Sequence, residues 1–219
     1  MARARGRIFV AAGTNGAGKS SIVGEFLGRA GGAYFDPDVM ARQLIAVGQS
    51  QDDANALAWR YGFEGLRRAV ATGGSFAFET TLGGTSIAHE LHRAIDAGHS
   101  VCIWYVGLAS PELHLARVRA RVARGGHDIP EAKIRERYPR SLANLAELIG
   151  KAAEIHVFDN STETASGLCA VECVFRMRER RIVEPDVEVL MKQAPEWAKP
   201  VVAAAVRCEL KGGRPRRKK

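Results

Sequence analysis

The sequence predicts an α/β fold in which a five-stranded parallel sheet is flanked by helices. Three observations predict it. Short apolar, β-branched or aromatic runs alternate with longer helical patterns, as in a parallel sheet covered by helices. A glycine-rich loop follows the first such run and opens the first helix. At 219 residues the chain suits one well-cored domain with a modest extension and is too short for two full-sized ones.

The strands expected are "RIFVAAG" from Arg7, "AYFD" from Ala33, "SFAFET" from Ser75, "SVCIWYVGL" from Ser100 and "EIHVFDN" from Glu154. The helices expected between them are "KSSIVGEFLGRA", "DVMARQLIAVG" and "DDANALAWRYGFEGLRRAVATGG", then "SIAHELHRAIDAGH" and "PELHLARVRARVAR". Each carries apolar residues near helical spacing with a glycine or turn behind it. After Asn160 the pattern changes: "VECVFRMRERRIVEP" reads as one or two strands and "APEWAKPVVAAAVRCEL" as a short helix broken by Pro200. The organisation expected is a basic segment 1–6, a core 7–161, an extension 162–210 packed on it and a basic disordered tail 211–219.

The formal charge is +8, yet Arg3, Arg5 and Arg7 supply three positives and "KGGRPRRKK" six, so the interior is close to neutral. Such ends attract polyanions weakly and stay solvated; a nucleic-acid groove built into the fold is not implied. Cys102, Cys169, Cys173 and Cys208 show neither a paired CxxC nor a histidine at zinc spacing, which fits free thiols in a reducing compartment. No apolar run reaches the length of a membrane span, and "MARARGRIFVAAG" meets its glycine loop too early for a secretory signal. The expected location is cytoplasmic, without a membrane partner.

"GTNGAGKS", Gly13 to Ser20, matches G-x-x-x-x-G-K-[ST] between a strand and a helix. In that context backbone N–H groups cradle phosphates, Lys19 reaches the β and γ phosphates and the Ser20 hydroxyl ligates Mg²⁺. Gly13, Thr14, Asn15, Gly16, Ala17, Gly18, Lys19, Ser20 and Ser21 are therefore the candidate nucleotide contacts, with Ser20 the metal ligand and ATP and Mg²⁺ the implied cofactors. The fold expected from this loop is of the P-loop NTPase kind, and the loop alone does not distinguish motors, switches and kinases. Asp159 at the end of "IHVFD" can imitate the acidic strand end of a hydrolytic ATPase, which makes a motor the second reading.

Ligands of open parallel sheets bind beyond the carboxyl ends of the strands. Those tips carry Asp36 and Asp38, Glu79 with Thr80 and Thr81, and Asp159 with Asn160. Asp38 is a candidate general base for an attacking hydroxyl, or else a first-turn carboxylate complementing a helix dipole; Asp36 before Pro37 reads as a cap or turn. Glu79 can accept hydrogen bonds from a small polar acceptor, and Thr80 and Thr81 add hydroxyls or simply end a strand. Asn160 is a further candidate nucleotide contact.

Arg117, Arg121 and Arg124 share a helix face, where one guanidinium can stack on a base and the next grip phosphate, while Arg119 reads as solvated. Gly125 and Gly126, His127 and Pro130 follow, then Arg135, Arg137 and Arg140 on a second helix. Two arginine-bearing helices on a glycine hinge suit a small lid, 121–141, that closes over phosphates, with Lys19, Arg121, Arg124, Arg135 and Arg137 as candidate catalytic cations. His127 is either a phosphate ligand or a loop-ordering residue. Asp128, Glu131 and Glu136 partly cancel the stretch's charge, which disfavours a nucleic-acid patch.

In "GTNGAGKS", "FDPDVMARQL", "FAFETTLGG", "RVARGGHDIPEAKIRERYPRSLANL" and "VFDNS" the sequence resembles the zeta-toxin-like P-loop kinases, from the first strand to about Ser161. The resemblance implies transfer of the ATP γ-phosphate to a sugar-nucleotide hydroxyl, UDP-N-acetylglucosamine for the toxins of the family, and a cognate antitoxin. It gives Lys19 and Ser20 nucleotide roles, Asp38 the base role, Glu79 acceptor contact and the lid arginines phosphate contacts. The spacing of Arg117 and Arg121 also resembles adenylate-kinase-type enzymes, which places the first on adenine. The stretch between Thr81 and Ala97 holds no motif for a uridine or acetamido group. A kinase of another sugar, nucleoside or nucleotide, and an ATP-binding regulatory or nucleic-acid-associated protein, are the alternatives.

Overall fold

The computed structural model describes residues 5–23, 34–163 and 169–212. The expected strand from Ala33 and most of the helix after the glycine loop fall partly outside these residues, as do the basic ends, 1–4 and 213–219.

Strands β1 (Arg7–Ala12), β2 (Phe76–Thr80), β3 (Ser100–Gly107), β4 (Glu154–Glu163), β5 (Cys169–Arg178) and β6 (Arg181–Glu184) form one sheet in the order β2-β1-β3-β4-β5-β6. Neighbours from β2 to β4 pair parallel, whereas β5 and β6 add on antiparallel. The five-stranded parallel sheet of the sequence reading is thus corrected to a mixed sheet, of six strands among the described residues. Two causes account for the change. Asp36 caps a helix whose first residue is Pro37, so the described part of the expected "AYFD" strand, from Tyr34, holds a bridge from Phe35 to Phe78 at the β2 edge and no strand beyond it. Register shifts on β4 and β5 put Val174 and Phe175 side by side in the core, and such bulges blur the two-residue alternation by which a strand is read.

Helical residues 19–23 form the described part of α1. There follow α2 (Pro37–Ala46), α3 (Gln51–Thr72), α4 (Thr85–Asp96), α5 (Pro111–Val122), α6 (Glu131–Leu148), α7 (Val187–Gln193) and α8 (Lys199–Gly212). Local chemistry sets their ends: Ser50 and Ser110 cap α3 and α5, and Gly73 closes α3 in the left-handed conformation. Pro200 does not break the last helix. It lies in the first turn of α8, where its missing N–H would have had no intrahelical partner.

β1 is covered on both faces, which explains its unbroken apolar run. Ile8, Val10 and Ala12 join the main core with Phe78, Ile103, Val157 and Phe175 of neighbouring strands and with Leu66, Leu91, Leu145 and Val201 of the helices. Ala11 faces the other side, with Ala17, Val23, Val106 and Leu108. The chain leaves β1 for β2 on one side and reaches β3 on the other, so the glycine loop sits where strand order reverses.

Candidate functional site

The glycine loop leaves the carboxyl end of β1 through backbone that a side chain would not tolerate. Gly16 and Gly18 have φ of 85° and 88°. A Cβ there would lie 2.8 Å from the His114 carbonyl oxygen and 2.6 Å from Asn160 Nδ2. Asn160 Nδ2 donates to the Ala17 carbonyl at 2.8 Å, tying the loop to the β4 tip. From α5, His114 Nδ1 lies 2.8 Å from the Asn15 carbonyl, an acceptor that requires the proton on Nδ1. Burial lowers the His114 pKa to about 4, so the ring is neutral at pH 7.

Two clefts open at the strand tips and meet. The larger, about 1200 Å³, is bordered by the glycine loop, Arg42, the α5 arginines and the Gly125-Gly126 turn. The smaller, about 590 Å³, lies between α3, the turn after β2 and the start of α6. Asn15, Asp38, Glu79 and His127 border both.

Glu79, at the β2 tip, is the hub of the junction. Its carboxylate accepts from Ser20 Oγ at 2.8 Å and from the Tyr34 hydroxyl at 3.0 Å, and lies 3.3 Å from Lys19 Nζ. Burial, then the charge of Glu79, holds the Tyr34 hydroxyl pKa well above its ordinary value. Tyr34 carries no signal in the sequence, which points Glu79 toward the acceptor alone, whereas the fold sets Glu79 against Lys19 and Ser20. Asp36 caps α2 through Oδ1, which accepts from the Asp38 and Val39 amides at 2.8 and 3.3 Å. Burial, then Glu79, raises its pKa. Asp38 follows in the first turn of α2, with Arg121 Nη1 3.4 Å and His127 Nε2 3.7 Å from its oxygens.

Arg117, Arg121 and Arg124 line the larger cleft together with Gly16, Gly18, Lys19, Ser20, Ser21 and Asn160. Arg121 also donates from Nη2 to the His127 carbonyl at 3.1 Å, while its Nε is buried without a hydrogen-bond partner. Arg137 lines the smaller cleft and donates to Asn15 Oδ1 at 2.9 Å. Arg135 borders neither cleft and pairs on the exposed face with Glu112 and Glu131. Arg119 is exposed and pairs with Glu131. The Thr80 and Thr81 hydroxyls accept from the Leu82 and Gly83 amides and so shape the turn, with both residues in the wall of the smaller cleft. Gly13 opens the loop at φ 140°, and Thr14 is buried within it. Asp159 accepts from the Ser161 amide, a local turn bond.

The donor set suits magnesium. A hydroxyl and a carboxylate oxygen 2.8 Å apart, at Ser20 and Glu79, are hard ligands for an ion that takes few protein groups and completes its shell with phosphate and water. Among the described residues no cluster of three or more His, Cys, Asp or Glu could hold a metal by itself. Among them, too, no helix is long and apolar enough to cross a membrane.

No protein-family model matches the chain. An uncharacterized protein of Haemophilus influenzae is 34% identical over 126 residues, which is 58% of this chain and 88% of that one, and the two belong to one family. Among solved structures, AvrRxo1-ORF1:AvrRxo1-ORF2 with sulphate ions superposes over 93% of this chain and 76% of its own at a TM-score of 0.60 and 15% identity. The same pair with ATP gives 0.59 at 16% identity. A structure from the PezAT chromosomal toxin-antitoxin system of Streptococcus pneumoniae gives 0.54 at 13% identity, over 96% of this chain and 87% of its own. The chain shares its fold with these structures, a toxin-antitoxin system among them, in keeping with the zeta-toxin-like resemblance. Within this fold, the antiparallel β5 and β6 close the far side of the sheet and leave the strand tips open.

Proposed function

We propose that the chain is a Mg²⁺- and ATP-dependent kinase that transfers the γ-phosphate to a hydroxyl of a small molecule. The observation that supports this reading most is the meeting of two clefts at Asp38 and Glu79, one cleft built on the glycine loop and the other walled by α3 and α6. A hydrolase needs one such cleft; a transferase needs two that touch.

In this reading the nucleotide lies in the larger cleft, with the glycine-loop amides and Lys19 on its phosphates and Arg117 against the base. Ser20 and Glu79 would hold magnesium, which when bound neutralises charge on the β and γ phosphates. Asp38 accepts the proton of the acceptor hydroxyl as that oxygen bonds to the γ-phosphorus; the bond from phosphorus to the bridging oxygen breaks and ADP leaves. Arg121 exchanges its Asp38 contact for phosphate, and Arg124 and Arg137 steady the transferred charge from either side. The turn at 123–130 would let residues 121–141 act as a lid. UDP-N-acetylglucosamine is the acceptor the resemblance implies, with other sugars and nucleosides beside it. The PezAT likeness supports a cognate antitoxin as partner.

The test is incubation with γ-labelled ATP, Mg²⁺ and a panel of hydroxyl acceptors. Label on an acceptor is expected. Release of phosphate with every acceptor unlabelled would sink the kinase reading.

A further inference from the structure

Resting on the kinase reading, but in place of the UDP-N-acetylglucosamine that the resemblance implies, we infer that the acceptor is a ring-bearing alcohol without a phosphate of its own, either neutral or carrying an amine. The two clefts differ in electrostatics as well as place. Lys19, Arg42, Arg117, Arg121 and Arg124 make the larger one suited to a polyphosphate. The smaller has no such excess. Beyond the Asp38 and Glu79 it shares, its wall carries Asp52, Asp128 and Glu136 against Lys133, Arg137 and Arg140.

Those cations are also committed or peripheral. Arg140 pairs with Glu136, Arg137 donates to Asn15 Oδ1, and Lys133 stands on the exposed rim. The same wall is rich in aromatic rings. Phe35 and Phe78 lie side by side at the bridge between their backbones, and Gly62 of α3 leaves room for the Phe35 ring, which a Cβ would approach to 2.7 Å. Trp59 stacks on Phe63 with centroids 5.1 Å apart, and Trp59 is 50% exposed in the same wall. A phosphate placed against these rings would meet two carboxylates, while of the wall's guanidinium groups Arg140 is exposed and paired with Glu136 and Arg137 is held at the junction by Asn15 Oδ1. The C–H face of a sugar or base can lie on such rings, and an ammonium gains both from the ring faces and from the carboxylates.

The experiment saturates the full chain with Mg²⁺ and a non-hydrolysable ATP analogue, then measures calorimetric binding of matched pairs. The pairs are glucosamine and glucosamine 6-phosphate, uridine and UMP, and N-acetylglucosamine and UDP-N-acetylglucosamine. At least one unphosphorylated member should bind, and its phosphorylated partner should bind at least tenfold more weakly. In Asp52→Asn/Asp128→Asn, two exposed positions, that ratio should shrink severalfold. A phosphorylated member that binds more tightly than its parent, or binding by none of the unphosphorylated members, would overturn the inference. The kinase reading is tested separately in the same mixtures with γ-labelled ATP: hydrolysis without label on a bound acceptor sinks that reading and leaves the binding preference standing.

Discussion

Replacing Glu79 by glutamine keeps the shape of the side chain and removes its charge, which isolates what the carboxylate does for the glycine loop. Lys19 Nζ lies 3.3 Å from Glu79 Oε1, and the two side chains are only 6% and 7% exposed. At an effective dielectric of about 20 that separation corresponds to roughly 5 kcal/mol of attraction, part of it offset by desolvation. Removing one partner of a buried pair strands the other, and about 3 kcal/mol of lost stability is a conservative expectation. For a chain of this size each kcal/mol moves Tm by about 3 °C, so Glu79→Gln without nucleotide should melt roughly 9 °C below the parent. A bound triphosphate offers Lys19 a new counter-charge. With a non-hydrolysable ATP analogue in the absence of Mg²⁺, so that the loss of a magnesium ligand does not enter, the gap to the parent should therefore narrow, because the unpaired Lys19 of the variant gains more from the phosphates than the parent's does. Thermal unfolding with and without the analogue reads both quantities. A nucleotide-free Tm within about 2 °C of the parent, or a deficit that ligand leaves unchanged, would refute the pairing argument.

Three further outcomes follow from the same geometry. The folded His114 pKa of about 4 lies below its ordinary 6.5, so its stabilising contribution is complete above pH 6.5 and is lost as pH falls toward 4. That contribution is worth about 3 kcal/mol, so denaturant unfolding between pH 7.5 and 4.5 should fall more steeply for the parent than for His114→Gln; parallel slopes would contradict the assignment. Arg121→Gln should lower kcat about a hundredfold as a phosphate-directed cation. Arg135→Gln, which cuts only exposed ion pairs, should stay within about twofold, and similar losses from both would remove the distinction drawn between them. Gly18→Ala puts a Cβ 2.6 Å from Asn160 Nδ2 at a φ of 88°. With about 1–2 kcal/mol of backbone strain added, ATP affinity should drop at least about tenfold by equilibrium titration, and unchanged affinity would contradict the account of the loop.

The parts of this architecture legible in the sequence were those set by local chemistry. "GTNGAGKS" needs only its own backbone to be read, and Asp36 before Pro37 is a cap wherever a helix starts there. The parallel core strands carried their apolar runs openly because both faces of the sheet are covered. What escaped depended on partners distant along the chain. β5 and β6 were only half visible, since a bulge opposite Phe158 breaks the alternation of "VECVFRMR". The sequence placed Glu79 correctly at a strand tip but could not say that Ser20 and Lys19, some 60 positions earlier, would turn toward it. His114 looked like one more residue of an arginine-rich helix, and its bond to the Asn15 carbonyl spans 99 positions. Arg135 and Arg137 are indistinguishable by composition. Two residues of separation rotate them by about 200° around α6, which sends one to Glu112 on the surface and the other to Asn15 in the loop.

In the proposed reaction Asp38 takes a proton from an acceptor hydroxyl at the junction of two clefts. That step is tested most directly by comparing the parent and Asp38→Asn for transfer of label from γ-labelled ATP to an acceptor, with ATP affinity measured on the same preparations. Asp38→Asn should keep ATP affinity within about threefold and lose transfer by about a hundredfold or more. Transfer at the parental rate would contradict the claim.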